Sequence, residues 1–198
     1  TSLNNIPMVI ARTGWSGELS YELYLQDRKK GDELFEIVYE AAKEFNGAVI
    51  APNIIRTIEG GLLSYQSDFG REHNPFTIGL DRLVDLDQDI DFIGKEALKK
   101  IKAEGISEKL VGVEIDGDPI QKVPENFWPV FDENHKKIGR LSRCFFSPRL
   151  KKNIGLAIID INFVEPGTSL VIESPKAHLN AQVHELPWFP AEKSTNLD

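Results

Sequence analysis

From Gly105 onward this 198-residue chain drops helical periodicity and becomes a succession of short apolar runs cut by turn residues. KLVGVEI, the segment at Pro129–Phe131, KIGRLSR, IGLAIID, SLVIES and LNAQVHEL follow one another with Gly, Pro, Asn or Asp between them. Strands at this spacing, with no strong helix among them, can bury their apolar faces only against each other, so they predict a small all-β barrel or sandwich. A boundary near Ile106 follows, dividing the chain into residues 1–105 and 106–198. The last eight residues read as a loose tail.

Upstream the pattern is mixed. PMVIAR, Pro7 to Arg12, reads as a strand, and Met8, Ile10, Tyr21, Leu23 and Leu25 alternate with other residues as in half-buried strands. TGWSGE lies between these runs, with Gly14 and Gly17 permitting a tight or irregular loop. Leu34, Phe35, Val38, Ala41, Ala42 and Phe45 recur at helical spacing, with Asp32 near the helix start and Gly47 as its stop. Ala48–Ala51 is a strand candidate, and Pro52 suits the first turn of a second helix carrying Ile54, Ile55, Ile58 and Leu62 on one face. A turn-rich stretch, Gln66 to Pro75, leads through Phe76–Asp87 to a short helix around Lys95–Lys102. The expected class is α+β, the end of a mixed α/β region followed by a β-barrel. A strand that begins so soon after Thr1 also leads us to expect that an amino-terminal part of the native protein is missing from this chain.

Composition removes several function classes. The net charge of -8 argues against a nucleic-acid partner, because phosphate neutralisation needs clustered Lys and Arg, and only Arg149, Lys151 and Lys152 form a basic run. No run approaches the roughly 18 to 20 apolar residues of a membrane span, and no leader signals export. A single cysteine, Cys144, cannot form an internal disulfide, so a reducing, cytoplasmic home is expected. His73, His135, His178 and His184 lack metal-ligand spacing, and no metal site is expected. GWSGE resembles the G-x-S-x-G elbow, but its serine falls in a strand-to-strand loop where the elbow needs a strand-to-helix turn, so a serine hydrolase is rejected.

Three stretches carry chemistry. In TGWSGELSYELYL, Ser20, Glu22 and Tyr24 share one strand face, while Tyr21, Leu23 and Leu25 take the other. Spacing alone favours a solvated edge-strand carboxylate at Glu22. In APNIIRTIEGGLLSYQSDF, Asn53 is placed to cap a helix, and Arg56 and Glu59 are spaced to pair on its surface. Gly60-Gly61 there marks either a helix end or the close approach of another backbone or a ligand. RCFFSPRLKKNIGLAIID, Arg143 to Asp160, reads as a turn with solvated lysines between two strands, with the retention of an anionic ligand tail as the functional alternative.

Together these stretches resemble the glycine-cleavage T-protein family, in order and across nearly the whole chain, from about Ile6 to Pro190. TGWSGELSYEL is similar to a TGYTGEDGFEI pattern, RTIEGGLLSY to RLEAGLxLY and FSPRLKKNIGLA to FSPTLKKNIALA. DFIGKEAL, EPGTSLVIE and LPWFP complete the series. The resemblance implies a three-domain protein around tetrahydrofolate, of which this chain holds the end of the folate-binding region and the barrel. It implies that Glu22 binds the pterin, with Tyr24 and Asn53 also on the cofactor and Trp15 on the substrate. No catalytic residue is assigned. Two arginines expected of aminomethyltransferases are replaced by Asn53 and Gln121, and PNIIRTIEGGLLSYQSD with REHNPF looks more like the dimethylsulfoniopropionate demethylase branch. The implied reaction is methyl transfer from that sulfonium to tetrahydrofolate, giving 3-(methylthio)propanoate and 5-methyltetrahydrofolate. The alternatives are an aminomethyltransferase served by a lipoylated carrier protein, or a non-catalytic folate-binding relative. The 198 residues alone are expected to be inactive or very weak, since one side of the pocket would be open.

Overall fold

The computed structural model describes residues 1–190; the tail expected at 191–198 lies outside them. The chain begins with a three-stranded antiparallel sheet in the order β1 (Ser2–Leu3), β2 (Ile6–Ala11), β3 (Glu22–Leu25). Its inner face places Ile6 and Met8 against Leu34 and Ile37 of helix α1 (Gly31–Lys43), a core of only three fully buried side chains. The apolar stripe read from the sequence of α1 is broader than the sheet it covers. Leu34 is buried, whereas Phe35, Val38 and Phe45 face outward. Tyr21 and Leu23, expected to face the core, are exposed as well.

Two sequence expectations fail after α1. Ala48–Ala51 forms no strand, and Val49 and Ile50 lie exposed without a partner strand. Helix α2 (Ile54–Glu59) begins after Pro52, with Asn53 at its cap, and ends before Leu62. The expected third helix is present as α3 (Lys95–Glu104).

The six runs after Gly105 all become strands: β4 (Glu108–Ile115), β5 (Trp128–Phe131), β6 (Lys137–Ser147), β7 (Lys152–Asp160), β8 (Ser169–Glu173) and β9 (His178–His184). They close into a barrel in the order β4-β7-β6-β5-β8-β9, antiparallel throughout, which leaves no free edge. Val113, Leu141, Cys144, Ala157, Ile159 and Ile172 are among the side chains that fill its interior. Burial there pushes the Cys144 thiol from 9.0 up to about 12, because an apolar interior disfavours the thiolate.

Strand β7 explains how the two regions join. It is buried over seven consecutive residues because both of its faces are covered. Ala157 and Ile159 face the barrel interior, while Ile154 and Leu156 face outward onto Ile58 of α2. Next to it, β6 carries a bulge between Leu141 and Arg143. One extra residue breaks the in–out alternation, so Leu141 and Cys144 both face inward and the two residues between them are free to face out.

Those two residues, Ser142 and Arg143, meet Asp68 from the upstream region. Arg143 Nε and Nη2 donate to the two Asp68 carboxylate oxygens at 2.7 and 2.6 Å, and Ser142 Oγ donates to Oδ1 at 2.7 Å. Arg143 also donates from Nη1 to Thr57 Oγ1 at 3.0 Å and from Nη2 to the Leu62 carbonyl at 2.8 Å. Asp68 is fully buried and Arg143 nearly so. With every nitrogen of the guanidinium engaged, the ion pair avoids the penalty of an unmatched buried charge and holds the barrel to α2.

Candidate functional site

The loop between β2 and β3 and the first half of β3 carry the residues singled out in sequence. Glu22 pairs with Ala11 across the ladder and Tyr24 with Val9, so Glu22 and Tyr24 share a face at the expected period of two. Glu22 Oε2 accepts hydrogen bonds from Thr13 Oγ1 and, at 3.2 Å, from the Tyr24 hydroxyl. Thr13 is a partner that sequence reading missed, although its place nine residues before Glu22 across a tight loop was open to view. Both hydroxyls act on one oxygen, and Glu22 Oε1 has no hydrogen-bond partner among the described residues. Trp15 projects from the loop with 59% of its surface exposed, and Tyr24 is 53% exposed. The result is an open, aromatic-flanked surface around an oriented carboxylate.

Asn53 is positioned by α2. Its Oδ1 accepts from the Ile55 N–H at 2.9 Å, the capping role that its sequence position suggests. The expected Arg56–Glu59 surface pair does not form. Arg56 Nη1 instead donates to Glu18 Oε1 in the β2–β3 loop at 2.9 Å. Glu59 is 3% exposed and its Oε1 accepts from Ser147 Oγ at 2.6 Å. Helix α2 ends at Glu59, so its last turn enters the barrel contact and the side chain is drawn inward. Among the described residues, Glu59 Oε2 and Trp188 Nε1 are buried with no hydrogen-bond partner.

Gly60 and Gly61 answer both sequence explanations at once. Gly60 terminates α2, and a β-carbon on it would stand 3.5 Å from Gly17 Cα, so the β2–β3 loop rests backbone to backbone on the helix end. Gly61 adopts φ 62°, a left-handed conformation natural to glycine, with Leu186 and Pro187 alongside.

The FSPRLKK turn is likewise only partly solvated. Ser147 is buried on Glu59, and Lys152 pairs with Glu114. Arg149 lies over the Phe189 ring, its Cζ 3.5 Å from the ring centre. His178 and His184 occupy the two ends of β9, and His184 stacks on Trp188 at 5.1 Å. Among the described residues no group of three or more His, Cys, Asp or Glu side chains could hold a metal ion, and no helix is long and apolar enough to cross a membrane.

A family model described as the GCVT N-terminal domain matches residues 1–88, and one described as the glycine cleavage T-protein C-terminal barrel domain matches residues 108–190. The chain belongs to the glycine-cleavage T-protein family. An aminomethyltransferase of Geobacillus sp. (strain WCH70) is 35% identical over 195 residues, covering 97% of this chain and 52% of that protein. One from Thermoanaerobacter pseudethanolicus is 36% identical over 170 residues, covering 84% of this chain and 44% of that protein. Dimethylsulfoniopropionate demethylase DmdA of Ruegeria pomeroyi is 28% identical over 189 residues, covering 94% of this chain and 50% of that protein. The crystal structure of glycine cleavage system aminomethyltransferase T from Bartonella henselae shares the fold, with a TM-score of 0.73 at 19% identity over 92% of this chain and 50% of that one. This T-protein-family chain thus spans about half the length of the curated relatives it matches.

Proposed function

We propose that the full protein is a tetrahydrofolate-dependent one-carbon transferase, with aminomethyl transfer as its first reading. The observation that carries this is Glu22: a carboxylate with one oxygen held by Thr13 and Tyr24 and the other with no hydrogen-bond partner among the described residues. A pterin edge presents a ring N–H beside an amino group, and a carboxylate fixed in this way can accept both. When bound, tetrahydrofolate would supply the nitrogen that accepts the one-carbon unit. Glu22 would bind the pterin edge, Tyr24 and Thr13 would keep that carboxylate in one orientation, and Trp15 would offer an aromatic face to the substrate. Asn53 would act by holding the start of α2, which packs against the loop that carries Trp15.

The relatives at 35% and 36% identity are named aminomethyltransferases and the demethylase stands at 28%, so the ranking expected from sequence is reversed. In the first reading the partner is a lipoylated carrier protein. In both, the part of its relatives' length that this chain does not span would complete the pocket. The demethylase remains the second reading, favoured by exposed Trp15 and Tyr24, whose rings suit a sulfonium by about 0.5 to 2 kcal/mol depending on desolvation. A sulfonium is an activated leaving group, so aligning its methyl with the acceptor nitrogen is the main task left to the protein.

One assay separates the readings. Full-length protein with tetrahydrofolate is given either an aminomethylated lipoyl carrier or dimethylsulfoniopropionate. Ammonia and methylenetetrahydrofolate support the first reading, 5-methyltetrahydrofolate the second, and saturable folate binding without either product leaves a non-catalytic folate binder. Glu22→Ala should weaken folate binding about 10- to 100-fold, the equivalent of a charge-assisted hydrogen bond of roughly 1.5 to 3 kcal/mol. Wild-type affinity in that variant would overturn the pterin assignment.

A further inference from the structure

Two arginines far apart in sequence converge on one carboxylate. Arg56 in α2 donates from Nη1 to Glu18 Oε1 at 2.9 Å, and Arg149 in the β6–β7 turn brings its own Nη1 to 3.5 Å from the same oxygen. Two guanidiniums against one carboxylate leave a local excess of one positive charge in a chain whose net charge is -8.

The two cations are held differently from the buried Arg143. Arg143 uses Nε, Nη1 and Nη2 on fixed protein acceptors. Arg149 makes no hydrogen bond to any described residue, and Arg56 makes only the one to Glu18. A guanidinium carries five N–H donors in a planar fork that matches a carboxylate edge on, so most of this donor capacity is unused. Each side chain is about half exposed: Arg56 44%, Arg149 48% and Glu18 50%.

Their positions are nevertheless built. Arg149 rests over the ring of Phe189, whose backbone N–H donates to the Glu59 carbonyl at 3.4 Å, and Trp188 N–H donates to the same carbonyl at 3.0 Å. Glu59 ends the helix that carries Arg56, so both guanidiniums are mounted on one packed unit of α2, the Trp188–Phe189 segment and the β6–β7 turn. Glu18 belongs to the other side of the contact, the β2–β3 loop that also carries Trp15.

We propose that Arg56 and Arg149 form a carboxylate-binding subsite for the acid end of a ligand, with the chain's own Glu18 as an internal stand-in that a ligand carboxylate displaces. The proposal rests on the folate-dependent reading for the identity of the ligand. The carboxylate has two possible sources there: the glutamyl tail of the folate and the acid group of a small donor.

The test uses the 198-residue chain. The probes are p-aminobenzoylglutamate for the tail, 3-(methylthio)propanoate for a small acid, and the amide of each as a neutral control, with binding followed by calorimetry or by chemical shifts. At least one acid should bind more tightly than its amide, and the acid that does so names the source. Arg56→Gln and Arg149→Gln should each weaken that binding about five- to tenfold, while Glu18→Gln should strengthen it several-fold by removing the competitor. A purely structural ion pair would show neither the acid preference nor the gain in Glu18→Gln. Equal binding of acids and amides, or affinities unchanged in the two arginine variants, overturns the subsite. Unchanged thermal unfolding in these surface variants guards against loss of fold. Tetrahydrofolate is titrated in parallel into the full-length protein, in which the pocket is complete. Failure of tetrahydrofolate with acid binding intact counts against the folate reading alone, and tetrahydrofolate affinity indifferent to both arginine variants counts against a tail subsite alone.

Discussion

The upstream region and the barrel treat their apolar side chains in opposite ways. Of the 18 large apolar side chains exposed among the described residues, 17 fall at or before Ile93, and Phe127 is the exception. The barrel core contains 13 buried residues, whereas the sheet-and-α1 core contains three. The barrel closes on itself around its own apolar interior, and the outer faces of β6 and β7 pack on α2 and Asp68. The upstream sheet is covered by α1 on one side only, leaving Val9 and Tyr24 open, and α1 in turn leaves Phe35 and Val38 open. Exposed apolar side chains on both outer sides of this unit agree with a chain that spans about half the length of its relatives. The same family membership therefore covers one unit with a closed apolar interior and one whose apolar side chains lie largely open.

The largest expected effect breaks the strut between the two. Arg143→Met leaves Asp68 buried and unpaired and should cost about 3–5 kcal/mol in urea unfolding. If the strut is what couples the regions, tryptophan fluorescence of a Trp15→Phe, Trp128→Phe background, which leaves Trp188, and far-UV circular dichroism should then report separate transitions. Ile172→Ala in the barrel interior should cost about 2–5 kcal/mol through lost burial and a residual cavity, again measured by urea unfolding. Asn53→Ala removes the cap on Ile55 and should cost about 1 kcal/mol, with folate affinity following only as far as α2 shifts. Phe35→Ser should change stability by no more than about 0.5 kcal/mol while reducing self-association in sedimentation, because that ring meets solvent in this chain. A Phe35→Ser cost as large as that of Ile172→Ala would erase the contrast between the regions.

Alkaline pH sharpens it further. The folded Cys144 pKa is raised above its ordinary value, so the associated stability is present below pH 9 and is lost as pH climbs toward about 12. In that window the slope tends to about 1.4 kcal/mol per pH unit from this group. Cys144→Ala should flatten the barrel's alkaline unfolding curve without affecting the upstream region.

The barrel strands were readable in sequence because period-two patterning and turn residues act locally, and all six appeared within a few residues of their expected limits. The bulge in β6 was not, since its purpose is to turn Ser142 and Arg143 toward Asp68, more than 70 residues away. Ala48–Ala51 had strand composition but no strand to pair with. The Arg56–Glu59 spacing suited a surface pair only if α2 continued as an exposed helix; its end on the barrel sent Glu59 inward and Arg56 across to Glu18. Within the candidate site, the shared face of Glu22 and Tyr24 followed from alternation, whereas the stacking of Arg149 on Phe189 depends on a chain segment beyond any local pattern.

The buried thiol gives the barrel a built-in clock. Cys144 is the only cysteine of the chain and is completely shielded within the strand cylinder, protonated at neutral pH. A maleimide added to the native protein can react only during moments when the cylinder opens, because the thiolate is the attacking species and is absent from the closed form. The labelling half-life thus reports openings of the barrel with no engineered probe, and comparing it with and without a bound partner on the exposed upstream surface would show whether covering the open region slows the breathing of the closed one.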